Sequence, residues 1–243
     1  MLGRTMAVFT EVSFAEASAL VARLGVGALQ QLTGIAFGIE NSNYFADTSA
    51  ARLGLMVFEC LGRSELPFYL GLMRHLAERG LPVPRPLAAA SGELLHTLCG
   101  KPAAVTLRLV GAPQLQPSAA QGESVATALA RLHLAGRDYP HTQPNPRGLT
   151  FWTENAPWLG PLLPEPARGL LAQELMLQQQ LAASDAYAAL PRGATHGDLF
   201  RDNVLFEGTQ LSGLLDFYFA STDTFLFDIA VCLNDWCIDL ASG

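Results

Sequence analysis

The sequence predicts an α+β fold in which a small lobe built on an antiparallel sheet precedes a larger, mostly helical lobe. Short apolar segments in the first part of the chain follow the order strand, strand, strand, helix, strand, strand. The composition changes at Gly111-Ala112-Pro113, and helical periodicity dominates beyond it until an apolar strand–turn–strand segment. We therefore expect an N-terminal lobe at residues 1–110 and a C-terminal lobe at residues 111–243.

Local signals place the elements of the small lobe. Helical spacing over residues 14–24, with Ser13 as cap, predicts a first helix. A second helix is predicted after Ser64 as its cap, with Pro67 in the first turn and Gly80 at its end. The predicted strands lie at residues 30–37, 41–45, 53–60, 94–98 and 103–110.

The larger lobe is predicted to begin with a helix at residues 119–136, followed by a proline-rich loop at residues 139–148. Residues 164–190 are expected to be mostly helical, with an interruption near residues 182–184. The apolar residues 211–240, which four aspartates interrupt, are interpreted as buried core.

Composition excludes several classes of function. Half of the residues are hydrophobic and 15% are charged, which is typical of a packed globular protein. A formal charge of −7 argues against a nucleic-acid surface. We find no signal peptide and no apolar run long enough to span a membrane, so a cytoplasmic protein is expected. The four cysteines lack metal-ligand spacing and are expected to be buried free thiols.

One segment carries the chemistry. His196-Gly197-Asp198 is followed five residues later by Asn203, then by a strand, a turn and a second strand ending at Asp216. A hairpin would bring Asn203 and Asp216 together. Phosphoryl transfer needs a carboxylate that accepts the proton of the attacking hydroxyl, and oxygen ligands for magnesium. Asp198 is the candidate base, and Asn203 and Asp216 are the candidate Mg²⁺ ligands.

This segment, His196-Gly197-Asp198-Leu199-Phe200-Arg201-Asp202-Asn203, resembles the catalytic loop of the aminoglycoside phosphotransferase and choline kinase superfamily. Leu215-Asp216-Phe217 resembles the metal-binding segment of that superfamily, and Phe227-Asp228-Ile229-Ala230 resembles the element that braces its catalytic loop. The resemblance implies a protein-kinase-like two-lobe fold, with the catalytic-loop hairpin in the large lobe and with His196 and Asp228 as supporting residues.

A finer resemblance is to the homoserine kinase family of this fold, and it extends over nearly the whole chain. Its segments include Gly38-Ile39-Glu40-Asn41-Ser42-Asn43-Tyr44-Phe45, Ala130-Arg131-Leu132-His133 and Asn234-Asp235-Trp236-Cys237. It implies transfer of phosphate from ATP, with Mg²⁺, to L-homoserine in threonine biosynthesis. A kinase for choline, methylthioribose or an aminoglycoside is the alternative within the class. The sequence does not indicate the oligomeric state or the residues that bind the acceptor.

The residues expected to contact the nucleotide differ from those of most kinases of the fold. Met56 stands where those kinases carry a lysine on the third strand, and Lys101 is the only lysine in the chain. Arg201 is the first candidate to offset the phosphate charge, ahead of Arg52 and Arg63. The loop over the phosphates, where backbone N–H groups approach oxygens, is predicted at these residues: Gly34, Gly38, Asn41, Ser42 and Asn43. Residues 106–109 are expected to meet adenine, and His133 is interpreted as a packing residue.

The ends of the chain differ from the resembling family. Its members continue well past the segment that ends at Cys237, so we expect a C-terminally short chain, and Met6 is a candidate start. A catalytically silent nucleotide-binding protein is therefore a competing interpretation. The presence of Asp198, Asn203 and Asp216 together argues against it.

Overall fold

A computed structural model describes residues 9–36 and 40–238. The elements of the first half are, in order, α1 (Phe14–Leu24), β1 (Leu29–Gly34), β2 (Asn41–Thr48), β3 (Arg52–Phe58), α2 (Leu66–Glu78), β4 (His96–Leu98) and β5 (Lys101–Leu107). Those of the second half are α3 (Ala119–Gly136), α4 (Leu149–Leu159), α5 (Glu165–Ala182), α6 (Asp185–Ala188), β6 (Arg192–Thr195), β7 (Val204–Glu207), β8 (Gln210–Leu214), β9 (Ser221–Thr224) and α7 (Phe225–Trp236).

The chain divides into two compact units. Unit 1 comprises Met1–Val125 and Val204–Leu215, and unit 2 comprises Ala126–Asn203 and Asp216–Gly243. The β7–β8 hairpin belongs to unit 1 because backbone bonds tie it there: Leu214 N donates to Pro82 O at 2.8 Å, and Ala112 and Phe206 exchange two bonds. The units are therefore not continuous in sequence, and the lobe boundary expected after residue 110 stays a prediction.

Unit 1 is built on the predicted antiparallel sheet, with strand order β1-β2-β3-β5-β4. Helix α1 packs on one face of it, where Leu53, Leu55 and Val57 of β3 are buried with Leu20 and Val21 of the helix. Because successive side chains on a strand alternate between faces, the residues between them lie on the other side. We call that side the second face; it carries Asn41, Asn43 and Phe45 of β2 and Gly54 and Met56 of β3.

The caps of the first two helices differ from each other. Ser13 caps α1 as predicted and forms a full capping box with Glu16, which holds the pKa of Glu16 below its usual value through the hydrogen bond from Ser13. The prediction that Ser64 caps α2 is wrong. The helix begins after Glu65, which makes no side-chain cap bond, and the Glu65 carboxylate instead accepts a bond from Gly62 N at 3.0 Å.

The structure confirms the helices predicted at 119–136 and 164–190, with the break between α5 and α6 where predicted. Helix α4 was not predicted. Its cap residue Gly148 makes no side-chain bond, Pro157 lies inside the helix, and the helix buries no side chain fully, so its sequence carries none of the usual helix signals. Strands β6 and β9 pair antiparallel, and β6 leads directly into the segment that begins at His196.

Burial corrects two expectations. Phe225 and Cys232 of α7 are buried as predicted for residues 211–240, but Leu226, Ile229 and Leu233 are about half exposed. Of the four free cysteines, Cys232 is buried and burial raises its pKa to about 12, whereas Cys60 and Cys237 are exposed, contrary to prediction. No helix in residues 9–36 or 40–238 is long and apolar enough to cross a membrane.

Candidate active site

The segment after β6 is held by one buried carboxylate. The backbone N–H groups of His196 and Gly197 donate to the two oxygens of Asp228, each at 2.8 Å. Asp228 lies in the first turn of α7 and is completely buried. Because a carboxylate that accepts several backbone bonds fixes the geometry of its donors, Asp228 determines the path of the chain into Asp198.

A histidine completes this arrangement from helix α3. His133 Nε2 donates at 2.9 Å to Asp228 Oδ2, the oxygen that also accepts from His196 N. The His133 ring stacks on Phe225 with centroids 4.4 Å apart. Burial by itself would raise the pKa of Asp228, but the hydrogen bond from His133, the nearby His196 and the two backbone donors together hold it below its usual value. His133 packs as predicted, but it also forms a hydrogen-bonded pair with Asp228 that the sequence did not indicate.

Gly197 allows the sharp turn between His196 and Asp198. Its φ of +77° lies in the left-handed region, and a Cβ there would come within 2.5 Å of Phe219 O. Both restrictions favour glycine and exclude larger residues. His196 itself is completely buried, with its ring 4.5 Å from that of Phe217 between centroids, and its Nδ1 accepts a bond from Asp198 N at 3.3 Å.

The candidate base and one candidate metal ligand are in direct contact. Asn203 Nδ2 donates to Asp198 O at 2.8 Å and to Asp198 Oδ2 at 2.9 Å. Since both partners are oxygens, the orientation of the amide is fixed with its nitrogen toward Asp198. Asn203 Oδ1 accepts no hydrogen bond from the described residues, so it is the end of the amide suited to a cation.

Asp216 leaves the hairpin at the end where Asn203 enters it. The register pairs Val204 with Leu214, so the residues just outside this pair leave the same end of the two strands. Asp216 has φ 59° and ψ 68°, a left-handed conformation that is uncommon outside glycine. Such backbone conformations cluster at functional sites, which favours a role for this carboxylate.

The donor set suits a divalent metal that arrives with phosphates. No group of three or more His, Cys, Asp or Glu side chains in the described parts of the chain could hold a metal alone. The Asn203 amide oxygen and the Asp216 carboxylate are hard oxygen donors, which Mg²⁺ accepts together with substrate phosphates. These residues therefore fit a metal–nucleotide complex better than a metal bound by protein alone.

Arg201, the first candidate for the phosphate charge, contacts α7 instead. Its backbone N donates to Asp235 Oδ2 at 2.7 Å, and its guanidinium donates to the backbone oxygens of Asp235 and Ile238. Trp236 Nε1 donates to Leu199 O at 2.9 Å beside it. The arginine is only 7% exposed. Its contacts favour a role in holding the loop. Asp235 and Trp236 had no signal in the sequence beyond their place in a resembling segment.

The predicted nucleotide residues of unit 1 differ in what their side chains do. Gly38 lies outside the described residues, and Gly34 ends β1. Ser42 is buried, and its hydroxyl donates to Glu59 Oε1 at 2.6 Å while accepting bonds from Phe9 N and Thr10 N. That hydroxyl is therefore used within unit 1. Asn41 and Asn43 are different, because each has a buried Oδ1 without a hydrogen-bond partner among the described residues.

The only lysine is also used within unit 1. Lys101 pairs with Glu59 and donates to Thr10 Oγ1 at 2.9 Å. Burial would raise the pKa of Glu59, but the bonds from Lys101 and Ser42 hold it below its usual value. Arg63, a weaker candidate to offset the phosphate charge, donates to Thr97 Oγ1 at 3.0 Å.

Comparison with known proteins agrees with this chemistry. Residues 31–242 match the model of a phosphotransferase enzyme family. Homoserine kinase of Polaromonas naphthalenivorans is 57% identical over 238 residues, covering 98% of this chain and 75% of the relative. Homoserine kinase of Paraburkholderia phymatum is 49% identical over 246 residues, covering 98% and 76%.

Solved structures share the fold at low identity. The amicoumacin kinase hAmiN, in complex with AMP-PNP, Ca²⁺ and Ami, has a TM-score of 0.71 at 17% identity, over 90% of this chain and 69% of that one. An aminoglycoside phosphotransferase, APH(4)-Ia, in ternary complex with ADP and hygromycin B, has a TM-score of 0.61 at 16% identity, over 90% and 76%. The predicted protein-kinase-like fold is thereby confirmed.

Proposed function

The chain belongs to the homoserine kinases of the phosphotransferase enzyme family, and we propose that it transfers the γ-phosphoryl group of ATP to the hydroxyl of L-homoserine. The new bond joins the homoserine oxygen to the γ-phosphorus, the bond from that phosphorus to the bridging oxygen breaks, and ADP leaves. The hydroxyl proton passes to a carboxylate. The observation that supports this most is the Asp198–Asn203 pair on a loop fixed by Asp228.

Asp198 is proposed as the base. Asn203 Nδ2 contacts one of its carboxylate oxygens and its backbone oxygen, so the side chain is oriented before the acceptor arrives. Such preorganisation of a proton acceptor is what positions the hydroxyl for in-line attack. His196 and Asp228 act on Asp198 through the backbone, as supporting residues.

Mg²⁺ is proposed as the metal, with Asn203 Oδ1 and Asp216 as its protein ligands. When bound, the ion offsets the negative charge of the transferring phosphates. Arg201 is assigned to the support of the loop through Asp235. A place in threonine biosynthesis follows from the proposed product, O-phospho-L-homoserine, and we expect this ATP-dependent step in the cytoplasm.

The test is formation of O-phospho-L-homoserine from ATP, Mg²⁺ and L-homoserine by the purified protein, with choline as a rival acceptor. Asp198→Asn should lower kcat by roughly 10²- to 10⁴-fold because the proton acceptor is lost. The matched control is Asp202→Asn, four residues further on and exposed, which should leave kcat unchanged. Preference for choline, or equal activity in the two variants, would overturn the proposed acceptor or the proposed base respectively.

A further inference from the structure

We propose that the side-chain amide of Asn43 takes the place of the strand-3 lysine and donates to the phosphates of the nucleotide. The inference rests on the proposed function, because it assumes that the chain binds ATP. It answers a problem that the sequence raises: a nucleotide-binding sheet with Met56 where a lysine is usual, and with the only lysine paired to Glu59.

The register of the sheet puts Asn43 beside that position. Asn43 of β2 is the direct cross-strand partner of Met56 of β3. Directly opposed residues in an antiparallel pair project from the same face, with Cβ atoms about 4.5–5.5 Å apart. Asn43 and Met56 therefore share the second face of the sheet, opposite the face that α1 covers. A phosphate group close to a lysine at residue 56 would therefore also be close to the side chain of Asn43.

The amide of Asn43 is not used by the described part of the chain. Its Oδ1 is buried and unpartnered, and its Nδ2 makes no hydrogen bond to a described residue. A buried polar group without a partner destabilises a protein, so its presence in a strand points to a partner from outside the chain. Because no hydrogen bond fixes the amide, its NH₂ end can be turned toward an acceptor such as a phosphate oxygen.

Asn43 also lies at the base of the segment predicted to cover the phosphates. Ile35 N donates to Asn43 O at 2.8 Å, which joins β2 to the residue that follows β1. Asn41, two residues earlier on the same face, has the same unpartnered oxygen and begins the strand. The two amides thus form a short polar row at the start of β2.

A cation that lies on this face, Arg108, makes other contacts. Arg108 lies over the Phe45 ring at 3.6 Å from its centroid and 4.0 Å from Asp47. An amide also differs from a lysine because it donates a hydrogen bond but adds no charge. Neutralisation of the phosphates then depends on the metal, so removal of Mg²⁺ should weaken ATP binding more here than in a variant that carries lysine at residue 56.

The experiment measures nucleotide affinity by titration calorimetry, for ATP with Mg²⁺, ADP with Mg²⁺ and adenosine, without the acceptor. Asn43→Leu keeps the size of the side chain and removes its donors. It should weaken ATP and ADP binding about tenfold to a hundredfold and leave adenosine binding unchanged. Gln31→Leu is the matched control, since it also exchanges an amide for leucine on the paired strand β1 and should leave all three affinities unchanged.

A second variant tests the replacement directly. Met56→Lys, introduced into Asn43→Leu, should recover most of the lost ATP affinity, because the ammonium would reach the same phosphates. Equal weakening of ATP and adenosine, or unchanged ATP affinity in Asn43→Leu, would overturn the inference, as would no recovery in the double variant. Wild-type protein that makes phosphohomoserine in those cases leaves the proposed function intact. Wild-type protein that binds no nucleotide overturns the proposed function and this inference together.

Discussion

The catalytic loop in unit 2 and the second sheet face in unit 1 both carry polar side chains, but they differ in whether those side chains have hydrogen-bond partners within the described chain. In the loop, the contacts of Asp228 and Asn203 are made inside the chain: Asp228 accepts two backbone bonds and one from His133, and Asn203 bonds to Asp198. On the sheet face, the amides of Asn41 and Asn43 have no partner among the described residues. The difference teaches that the polar groups around the proposed base are held by other protein groups, while the amides on the face proposed to bind the nucleotide have no protein partner among the described residues.

The largest expected effect is on the loop. Asp228→Asn turns one acceptor oxygen into an NH₂ group against a backbone N–H or His133, in a fully buried site. We expect the free energy of unfolding to fall by about 3 kcal/mol, because a buried charge-assisted network is broken on one side. Denaturant unfolding measures it, with Asp202→Asn as the exposed control. A loss of a few tenths of a kcal/mol would mean that the loop does not depend on this carboxylate.

The buried carboxylate of Asp228 also predicts how the stability of the protein decreases at low pH. The folded pKa of Asp228 is below its ordinary value, so its contribution to folding is complete above about pH 4 and is lost as the pH falls through the lower, folded pKa. The wild-type midpoint of urea unfolding should therefore decrease below about pH 4. The difference between wild type and Asp228→Asn should shrink over that range. A difference that stays constant with pH would contradict the assigned cause.

The smallest effect is expected on the sheet face. Asn43→Leu should leave the free energy of unfolding unchanged or raise it by up to about 1 kcal/mol, because an apolar group of similar size replaces an amide whose oxygen is buried without a partner. The measurement is the same denaturant unfolding in the absence of nucleotide. A destabilisation as large as that of Asp228→Asn would show that the amide has a structural partner, and the comparison between the two regions would fail.

Local and repetitive signals were enough for much of the fold. The succession of strands and helices in unit 1, the cap at Ser13 and the β7–β8 hairpin follow from alternation, caps and turns that lie close together in sequence. The pairing of β3 with β5 was not predicted, because helix α2 separates the two strands in sequence. The pairing of β6 with β9 did not follow, because their polar residues give no strand pattern and the pairing is long-range. Helix α4 was missed because it combines an internal proline with weak periodicity.

The candidate site was predictable where one motif carries it. The spacing of His196, Asp198 and Asn203, followed by a hairpin, indicates the chemistry from residue types alone. The partners of Asp228 were not predictable in this way, because His133 is 95 residues away in sequence and resembles any core histidine on a helix. Arg201 was predicted from the motif, but its partners were not. The structure shows that its guanidinium donates to backbone oxygens at the end of α7 and just after it.

The pairing of Lys101 with Glu59 has a consequence for chemical labelling. Reagents that acylate the third-strand lysine of a kinase need that lysine, and this chain carries Met56 at the corresponding position. Its single lysine already forms an ion pair and a hydrogen bond to Thr10. Chemical labelling that depends on a lysine at the third-strand position therefore has no target at residue 56 of this chain.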